Sequence, residues 1–142
     1  MIVLDVNLLL YAYDSNSSHH AKAREWVDVI FSNGDLIGLP WQTIGAFLRI
    51  GTDRRLPGYR YTVPEATAMV ETWLAQPNIR CIAPGERYWP ILRTMIIEGQ
   101  ASGPLVTDAQ LAALTIECGG ILQTTDRDFA RFPGLRWKNP LI

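Results

Sequence analysis

The chain has 142 residues, of which 48% are hydrophobic and 19% charged, and its formal net charge is −1. This length suits one domain with a buried core, and the apolar content excludes an intrinsically disordered chain. The near-zero net charge excludes nucleic-acid binding through an overall basic field, but 11 of the 13 cationic residues are arginine, whose planar fork matches phosphate oxygens.

The first half of the chain predicts two short strands, each followed by helices. The opening apolar run is too short for a helix and favours a buried parallel strand. Pro40 favours the start of a helix, and Gly51 together with the Pro-Gly pair at 57–58 ends it. The predicted elements are a strand at residues 1–4, a helix at 8–13, a loop at 14–18 that also supplies helix N-caps, a helix from 21 to 33, a strand at 36–39 and a helix at 41–50.

The second half continues the alternation. Its predicted elements are a helix at 64–74, a strand at 79–82, a helix at 87–97, a helix from the Gly-Pro pair at 103–104 to about Cys118, a strand at 121–123 and a short last strand at 135–137. Strands that alternate with helices indicate a three-layer α/β fold, with a central, mostly parallel sheet flanked by helices. We expect one domain over residues 1–142.

Two features bear on the cellular compartment. Cys81 and Cys118 are isolated, without Cys-x-x-Cys or Cys/His spacing, which argues against a zinc site or a disulfide framework and favours a reducing environment. The N-terminus lacks a basic segment followed by a long apolar one, and no apolar run approaches the ~20 residues needed to span a bilayer. We therefore expect a cytoplasmic protein without a membrane contact.

Four aspartates lie at or near the ends of predicted strands and helices, where the fold would bring them together. Asp5 ends the first strand and Asp126 follows the strand at 121–123, so both carboxylates would emerge at the carboxyl edge of a parallel sheet. Asp108 lies in the first turns of the helix that feeds this strand, and a crossover helix begins at that same edge. Asp128 lies two residues beyond Asp126. The sequence therefore predicts one acidic site.

Carboxylates forced into one pocket repel, so either some are protonated or a cation neutralises them. Ligands that are all oxygen select a hard ion, Mg²⁺ or Mn²⁺. Such an ion can lower the pKa of a bound water and stabilise charge on phosphoryl oxygens. Hydrolysis of phosphodiester bonds is the reaction that this chemistry favours.

Structural roles are the alternatives for these residues. Asp5 and Asn7 could cap the helix that begins beside them, and Thr125 with Asp128 has the spacing of a capping box. Asp108 alone would usually be a solvated helix residue. Convergence on one pocket favours a functional interpretation, because three separate structural explanations would otherwise all have to hold.

Arginine and tryptophan side chains also cluster in the sequence. Four arginines follow the third predicted helix, where a solvated face is the usual interpretation and contact with an RNA backbone the functional one: Arg49, Arg54, Arg55 and Arg60. Tryptophans at helix positions usually indicate core or interface: Trp26, Trp41, Trp73 and Trp89. Small residues in the Asp108 helix would let it lie close to the sheet: Ala109, Ala112 and Ala113.

Motifs spread over nearly the whole chain resemble those of PIN-domain ribonucleases, specifically VapC-type toxins of bacterial toxin–antitoxin pairs. They are VLDVN at residues 3–7, LPW at 39–41 with AFLR at 46–49, VTDA at 106–109 with LAA at 111–113, TDRDF at 125–129 and NPL at 139–141. The resemblance implies a central parallel sheet flanked by helices, Mg²⁺- or Mn²⁺-dependent endonucleolytic cleavage of RNA, and neutralisation by a cognate antitoxin.

The resemblance also assigns roles to residues of this sequence. The metal-binding acids would be Asp5, Asp108 and Asp126, with Asp128 as a fourth acid of the catalytic site. Residues that support these acids or contact substrate would be Asn7, Thr125 and Arg49. One position departs from the family, which commonly has a glutamate in the third helix where alignment on Arg49 places Ala46. Gln42 or a water could substitute there.

Two other functions compete with the nuclease. A catalytically weak PIN-like module could act through RNA or protein contact, as Ala46 suggests. A phosphatase of the haloacid-dehalogenase type would need Asp-x-Asp where this chain has Asn7, and a lysine in a suitable motif, whereas the only lysines are Lys22 and Lys138.

The expected partners are RNA, a cognate antitoxin and a second copy of the chain. The homodimer follows from the resemblance and from aromatic residues in excess of what one small core must contain, namely Trp41, Phe47, Trp73 and Trp89. The RNA target and its cleavage sequence are left open.

Overall fold

Strands and helices alternate along residues 1–58 and 61–142, which this computed structural model describes. In chain order they are β1 (Ile2–Leu4), α1 (Val6–Ala12), α2 (His20–Ser32), β2 (Ile37–Pro40), α3 (Trp41–Gly51), α4 (Val63–Leu74), β3 (Ile79–Ile82), α5 (Tyr88–Glu98), α6 (Leu105–Glu117), β4 (Ile121–Gln123), a short 3₁₀ helix (Arg127–Arg131) and β5 (Trp137–Lys138). Most predicted elements are confirmed within a few residues at each end.

The strands form one sheet in the order β3-β2-β1-β4-β5, and each pairing is parallel. The central strand β1 places Val3 opposite Gly38 of β2 on one side and opposite Leu122 of β4 on the other. The chain leaves β1 toward β2 and later returns to its other side with β4. Open α/β sheets bind ligands at the carboxyl ends of strands where the order reverses in this way.

Two apolar cores cover the two faces of the sheet. Successive residues of a strand point to opposite faces, so Val3 packs with Leu122 and helices α5 and α6, whereas Leu4 packs with α1, α3 and α4. The predicted three-layer α/β fold is therefore confirmed.

Helix α6 lies close to the sheet because its inner residues are small. Ala109, Ala112 and Ala113 are fully buried, as the sequence predicted. Gly120, just before β4, allows the β4 backbone to lie close to β1, because a Cβ there would lie 2.7 Å from Val3 Cγ2 and 3.1 Å from the Met1 carbonyl oxygen.

Two local predictions were wrong, and one local feature was not predicted. The last strand is Trp137–Lys138 rather than residues 135–137, because pairing of Leu122 with Trp137 sets its register. The loop at 14–18 does not supply the N-cap of α2, since His19 occupies that position without a side-chain cap bond. Thr62 and Glu65 form a capping box at the N-terminus of α4, which was not predicted from the sequence.

The aromatic residues divide between core and surface. Phe47 and Trp73 are buried in the core beside Leu4, so Trp73 takes the core position of its two predicted alternatives, and neither side chain supports the predicted homodimer. Trp41 and Trp89 are 54% and 63% exposed and are available for contact with a partner. In the described part of the chain, no helix has the length and apolar character to cross a membrane. Arg60 lies outside the described residues.

Candidate active site

The carboxyl edge of the sheet carries a cavity of about 180 Å³ whose wall includes Asp5, Asp108 and Asp126. Asp5 directly follows β1, Asp126 follows β4, and Asp108 lies in the first turn of α6. The sequence analysis predicted this edge for Asp5 and Asp126 from parallel strands, and for Asp108 from a crossover helix. Asn7 of α1 also lines the cavity.

Asp5 is held deep in the cavity wall and is only 8% exposed. Burial raises the pKa of its carboxyl group, and the charge of Asp126 adds to this. A hydrogen bond from Thr124 and the nearby amides of Val6 and Asn7 partly offset the rise. Asp5 occupies the N-cap position of α1 but makes no full side-chain cap bond, so its main contact is with Thr124 rather than with the helix.

Thr124 connects two of the acids. Its hydroxyl donates to Asp5 Oδ2 at 2.7 Å and accepts the backbone N–H of Asp126 at 3.0 Å, and the side chain is fully buried. The residue predicted from the sequence to support the acids or contact substrate was the neighbouring Thr125, which is half-buried and does not line the cavity. Only the register of β4 against β1 shows which threonine faces Asp5, so no local signal in the sequence distinguished them.

Asp108 shows that the acids repel one another. Its pKa is raised to about 6, first by burial and then by the charges of Asp126, Asp5 and Asp128. The guanidinium of Arg131, at the end of the 3₁₀ helix, partly offsets this and was not singled out from the sequence. A cation in the cavity would relieve the repulsion.

Asp126 and Asp128 have different positions. Asp126 Oδ1 accepts the backbone N–H of Asp128 at 2.8 Å and so caps the 3₁₀ helix. The capping box proposed for Thr125 and Asp128 was therefore wrong, because the cap is Asp126. Asp128 is exposed and lies outside the cavity wall, and it acts on the site through its charge.

Helix α3 supplies the opposite wall through Gln42, Ala46 and Arg49. Ala46 therefore faces the cavity, as alignment on Arg49 predicted, and no carboxylate stands there. Gln42 Nε2 donates to the carbonyl of Thr107 at 3.4 Å. Thr43 Oγ1 donates to the carbonyl of Leu4 at 2.9 Å, which fixes the first turn of α3 on the end of β1.

Two other described arginines of the predicted group, Arg54 and Arg55, lie apart from the cavity wall. Arg54 and Arg55 are exposed, and Arg55 pairs with Asp53 at 3.1 Å. Arg49 is thus the described member of the group that stands at the acidic site, exposed and on the rim.

The donor set of the cavity fits a hard divalent ion that keeps some of its waters. Within residues 1–58 and 61–142, no three Asp, Glu, His or Cys side chains form a group that could hold a metal ion. Asp5 and Asp126 each give one oxygen to a protein donor. Mg²⁺ typically uses one or two carboxylates and retains several waters, so oxygen ligands of this number and kind suit it.

Three comparisons relate the chain to known proteins. The PIN domain family matches residues 2–135. Ribonuclease VapC33 of Mycobacterium tuberculosis is 36% identical over 141 residues, which cover 99% of each chain. VapBC2 from Rickettsia felis, solved bound to a fragment of promoter DNA, has a TM-score of 0.69 at 17% identity and covers 98% of both chains. A toxin–antitoxin complex from Klebsiella pneumoniae has a TM-score of 0.66 at 15% identity, over 99% of this chain and 98% of that one.

Proposed function

Because the chain belongs to the PIN domain family, among its VapC members, we propose that it is an endoribonuclease toxin that hydrolyses RNA phosphodiester bonds with Mg²⁺ or Mn²⁺. The observation that carries this proposal is the single cavity lined by Asp5, Asp108 and Asp126 in a chain that matches a VapC ribonuclease over its full length. Family membership also removes the haloacid-dehalogenase alternative.

One or two of the carboxylates of Asp5, Asp108 and Asp126 would hold the ion directly, and the others would contact its bound waters. When bound, the ion supplies positive charge to the phosphoryl oxygens and lowers the pKa of a bound water. Thr124 keeps Asp5 in one orientation, and its bond to the Asp126 amide keeps the two acids at a fixed spacing. A fixed spacing matters because reacting groups must be held in one geometry for efficient catalysis.

Polar residues around the acids would orient the substrate. Arg49 stands at the rim and would contact a phosphate of the RNA strand. Asn7 offers an amide that can hold a water or a carboxylate without adding charge. Asp128 contributes negative charge from outside the wall, and Thr125 remains a candidate for contact with substrate.

The proposal includes two protein partners. The motifs shared with VapC-type toxins support a cognate antitoxin that blocks the acidic cavity. Trp41 and Trp89, exposed on α3 and α5, support a homodimer, since large exposed aromatic side chains are enriched at interfaces. Light scattering that shows only monomer over a wide concentration range would overturn the dimer.

The proposed compartment is the cytoplasm. The free thiols Cys81 and Cys118 fit its reducing conditions.

A catalytically weak PIN-like binding module is the second candidate. Ala46 on the cavity wall favours it, because the family commonly has a carboxylate there. Calorimetry with Mn²⁺ distinguishes the two, since the nuclease must bind the ion and a module acting only through contact need not.

The decisive test of the activity is incubation with a pool of structured and unstructured RNAs in Mn²⁺, with and without chelator. Mapping the new 5′ ends would identify the substrate at the same time. We expect cleavage at defined positions that chelator abolishes. Intact RNA in Mn²⁺, with a folded protein, would overturn the proposal.

A further inference from the structure

A second cavity, of about 290 Å³, lies beside the acidic one in the groove between α1 and α3. Ile50 lines both cavities, so they are direct neighbours. On α1 the acidic cavity is lined by Asn7 and the second one by Tyr11, which is about one helical turn, ~5.4 Å, farther along. The groove therefore continues away from the acids along both helices.

The wall of the second cavity is aromatic, because the half-buried rings of Tyr11, Tyr13 and Tyr61 surround it and the fully buried ring of Phe47 packs behind Tyr13 and Tyr61. Several of these rings are fixed by other contacts. The indole N–H of Trp73 donates to the Tyr13 hydroxyl at 3.0 Å, the Tyr61 hydroxyl donates to the Tyr13 carbonyl, and the Phe47 ring centroid is 4.7 Å from that of Trp73. A cavity formed in advance binds a ligand without the entropy loss of ordering its walls.

One acid, Asp14, lines this cavity among the described residues. Its Oδ1 accepts the backbone N–H of Asn16 at 3.0 Å and keeps a second lone pair, so both carboxylate oxygens can accept from a ligand. Arg49 lines the acidic cavity, where its guanidinium would contact a phosphate. The two neighbouring cavities thus offer acids and a guanidinium in one, and aromatic rings and a carboxylate acceptor in the other.

A nucleotide has the complementary parts: a phosphate and a flat aromatic base with N–H donors. Proteins that read single-stranded RNA take unstacked bases onto aromatic side chains and bind their Watson–Crick edges by hydrogen bonds. We propose that the aromatic cavity between α1 and α3 holds one unstacked nucleobase of the RNA strand, next to the phosphate at the acidic cavity, with guanine preferred. Guanine is preferred because its Watson–Crick edge presents two adjacent N–H donors to the Asp14 carboxylate.

This inference rests on the proposed function, but its test does not need cleavage. Binding is measured by fluorescence anisotropy in Mg²⁺ with the Asp108→Asn variant, using a labelled single-stranded RNA that has one guanine, its adenine counterpart and its abasic counterpart. A base that stacks contributes roughly tenfold or more to affinity. We expect the guanine RNA to bind at least roughly tenfold more tightly than the abasic RNA.

Three added substitutions locate the base. Tyr11→Leu should remove the difference between the guanine and abasic RNAs, and Asp14→Asn should remove the preference for guanine over adenine. Tyr88→Leu is the matched control. Tyr88 is also a half-buried tyrosine, but it lines a third cavity, of about 210 Å³, on the other side of the acids. This third cavity shares Gln42 with the acidic cavity. The Tyr88→Leu substitution should leave both differences unchanged.

Three results would overturn the inference. Equal binding of the guanine and abasic RNAs by the Asp108→Asn protein would do so without dependence on the folding of a further variant. Loss of the difference in Tyr88→Leu but not in Tyr11→Leu would place the base on the opposite side of the acids. If Tyr11→Leu weakens only the binding of an antitoxin, the cavity belongs to a protein partner instead. Absence of cleavage by the wild-type chain would overturn the nuclease and leave the binding result standing.

Discussion

Replacing Thr124 by valine would remove the two hydrogen bonds that connect Asp5 with Asp126 while keeping the branched shape of the side chain. The hydroxyl contacts Asp5 Oδ2 at 2.7 Å and the Asp126 amide at 3.0 Å, and it is fully buried. A hydrogen bond to a charged group contributes roughly 1.5–3 kcal/mol, and an unsatisfied buried partner adds a desolvation cost. We expect the free energy of unfolding to fall by about 2–4 kcal/mol.

Urea unfolding of the metal-free protein measures this change. The matched control is Thr115→Val, because Thr115 is also fully buried but its hydroxyl donates at 2.9 Å to the Leu111 carbonyl within α6. That carbonyl also lies within reach of the helix backbone, so the control should cost less than about 1 kcal/mol. Thr124→Ser should recover most of the lost stability.

The same substitution should weaken metal binding. The bond from Thr124 lowers the pKa of Asp5, so its loss raises that pKa further and favours the protonated acid over the ligand. Calorimetry should show weaker Mn²⁺ binding by Thr124→Val than by Thr115→Val. A Thr124→Val protein with wild-type stability and wild-type Mn²⁺ affinity would refute the reasoning, since it would mean that the hydroxyl does not hold Asp5.

Three further predictions concern the acidic cavity. Ala46→Glu adds a carboxylate to its wall and should tighten Mn²⁺ binding in calorimetry and raise Tm more with metal than with chelator; weaker binding by the folded variant would show that this position does not face the ion. In chelator, the free energy of unfolding in urea should increase as the pH falls from about 7.5 to 5. Burial and the charges of Asp126 and Asp5 raise the pKa of Asp108 to about 6, so the folded state binds this proton more tightly than the unfolded chain does. The stabilisation that this proton gives is complete below pH 3.8, the ordinary pKa of the Asp108 carboxyl group, and is lost as the pH rises through about 6. After allowance for solvent screening it should be about 1 kcal/mol. An Asp108→Asn protein with the wild-type pH profile would contradict this prediction. Asp126→Asn should lower kcat/KM for RNA more than Asp128→Asn, since Asp128 is exposed outside the wall, and equal losses would count against this geometry.

The convergence of the acids could be predicted because it depends on topology rather than on detailed packing. Asp5 and Asp126 each follow a short apolar run, and parallel strands bring their carboxyl ends to one edge. Asp108 required only that a crossover helix begin at that edge. The small side chains of α6 were equally readable, because a helix that lies close to a sheet needs them.

The other features of the site and fold could not be predicted, because they depend on strand register and helix packing. Thr124 and Thr125 are adjacent threonines, and only the pairing of β4 with β1 decides which hydroxyl meets Asp5. Phe47 and Trp41 lie on the same helix, yet one is buried and the other 54% exposed, because α4 covers only one face of α3. The two-residue strand β5 likewise takes its register from β4, not from its own residues.

The central claim is that Asp5, Asp108 and a divalent ion act together on RNA, and the rate of single-turnover cleavage of one RNA tests it most directly. Wild type, Asp5→Asn, Asp108→Asn and Asp28→Asn should be compared in Mn²⁺ and in chelator, with Asp28 as the control because it is an exposed aspartate of α2 paired with Arg24. We expect cleavage only with metal, a loss of more than about a hundredfold in Asp5→Asn and Asp108→Asn, and the wild-type rate in Asp28→Asn. Folded Asp108→Asn that cleaves at the wild-type rate, or wild-type cleavage that persists in chelator, would contradict the claim.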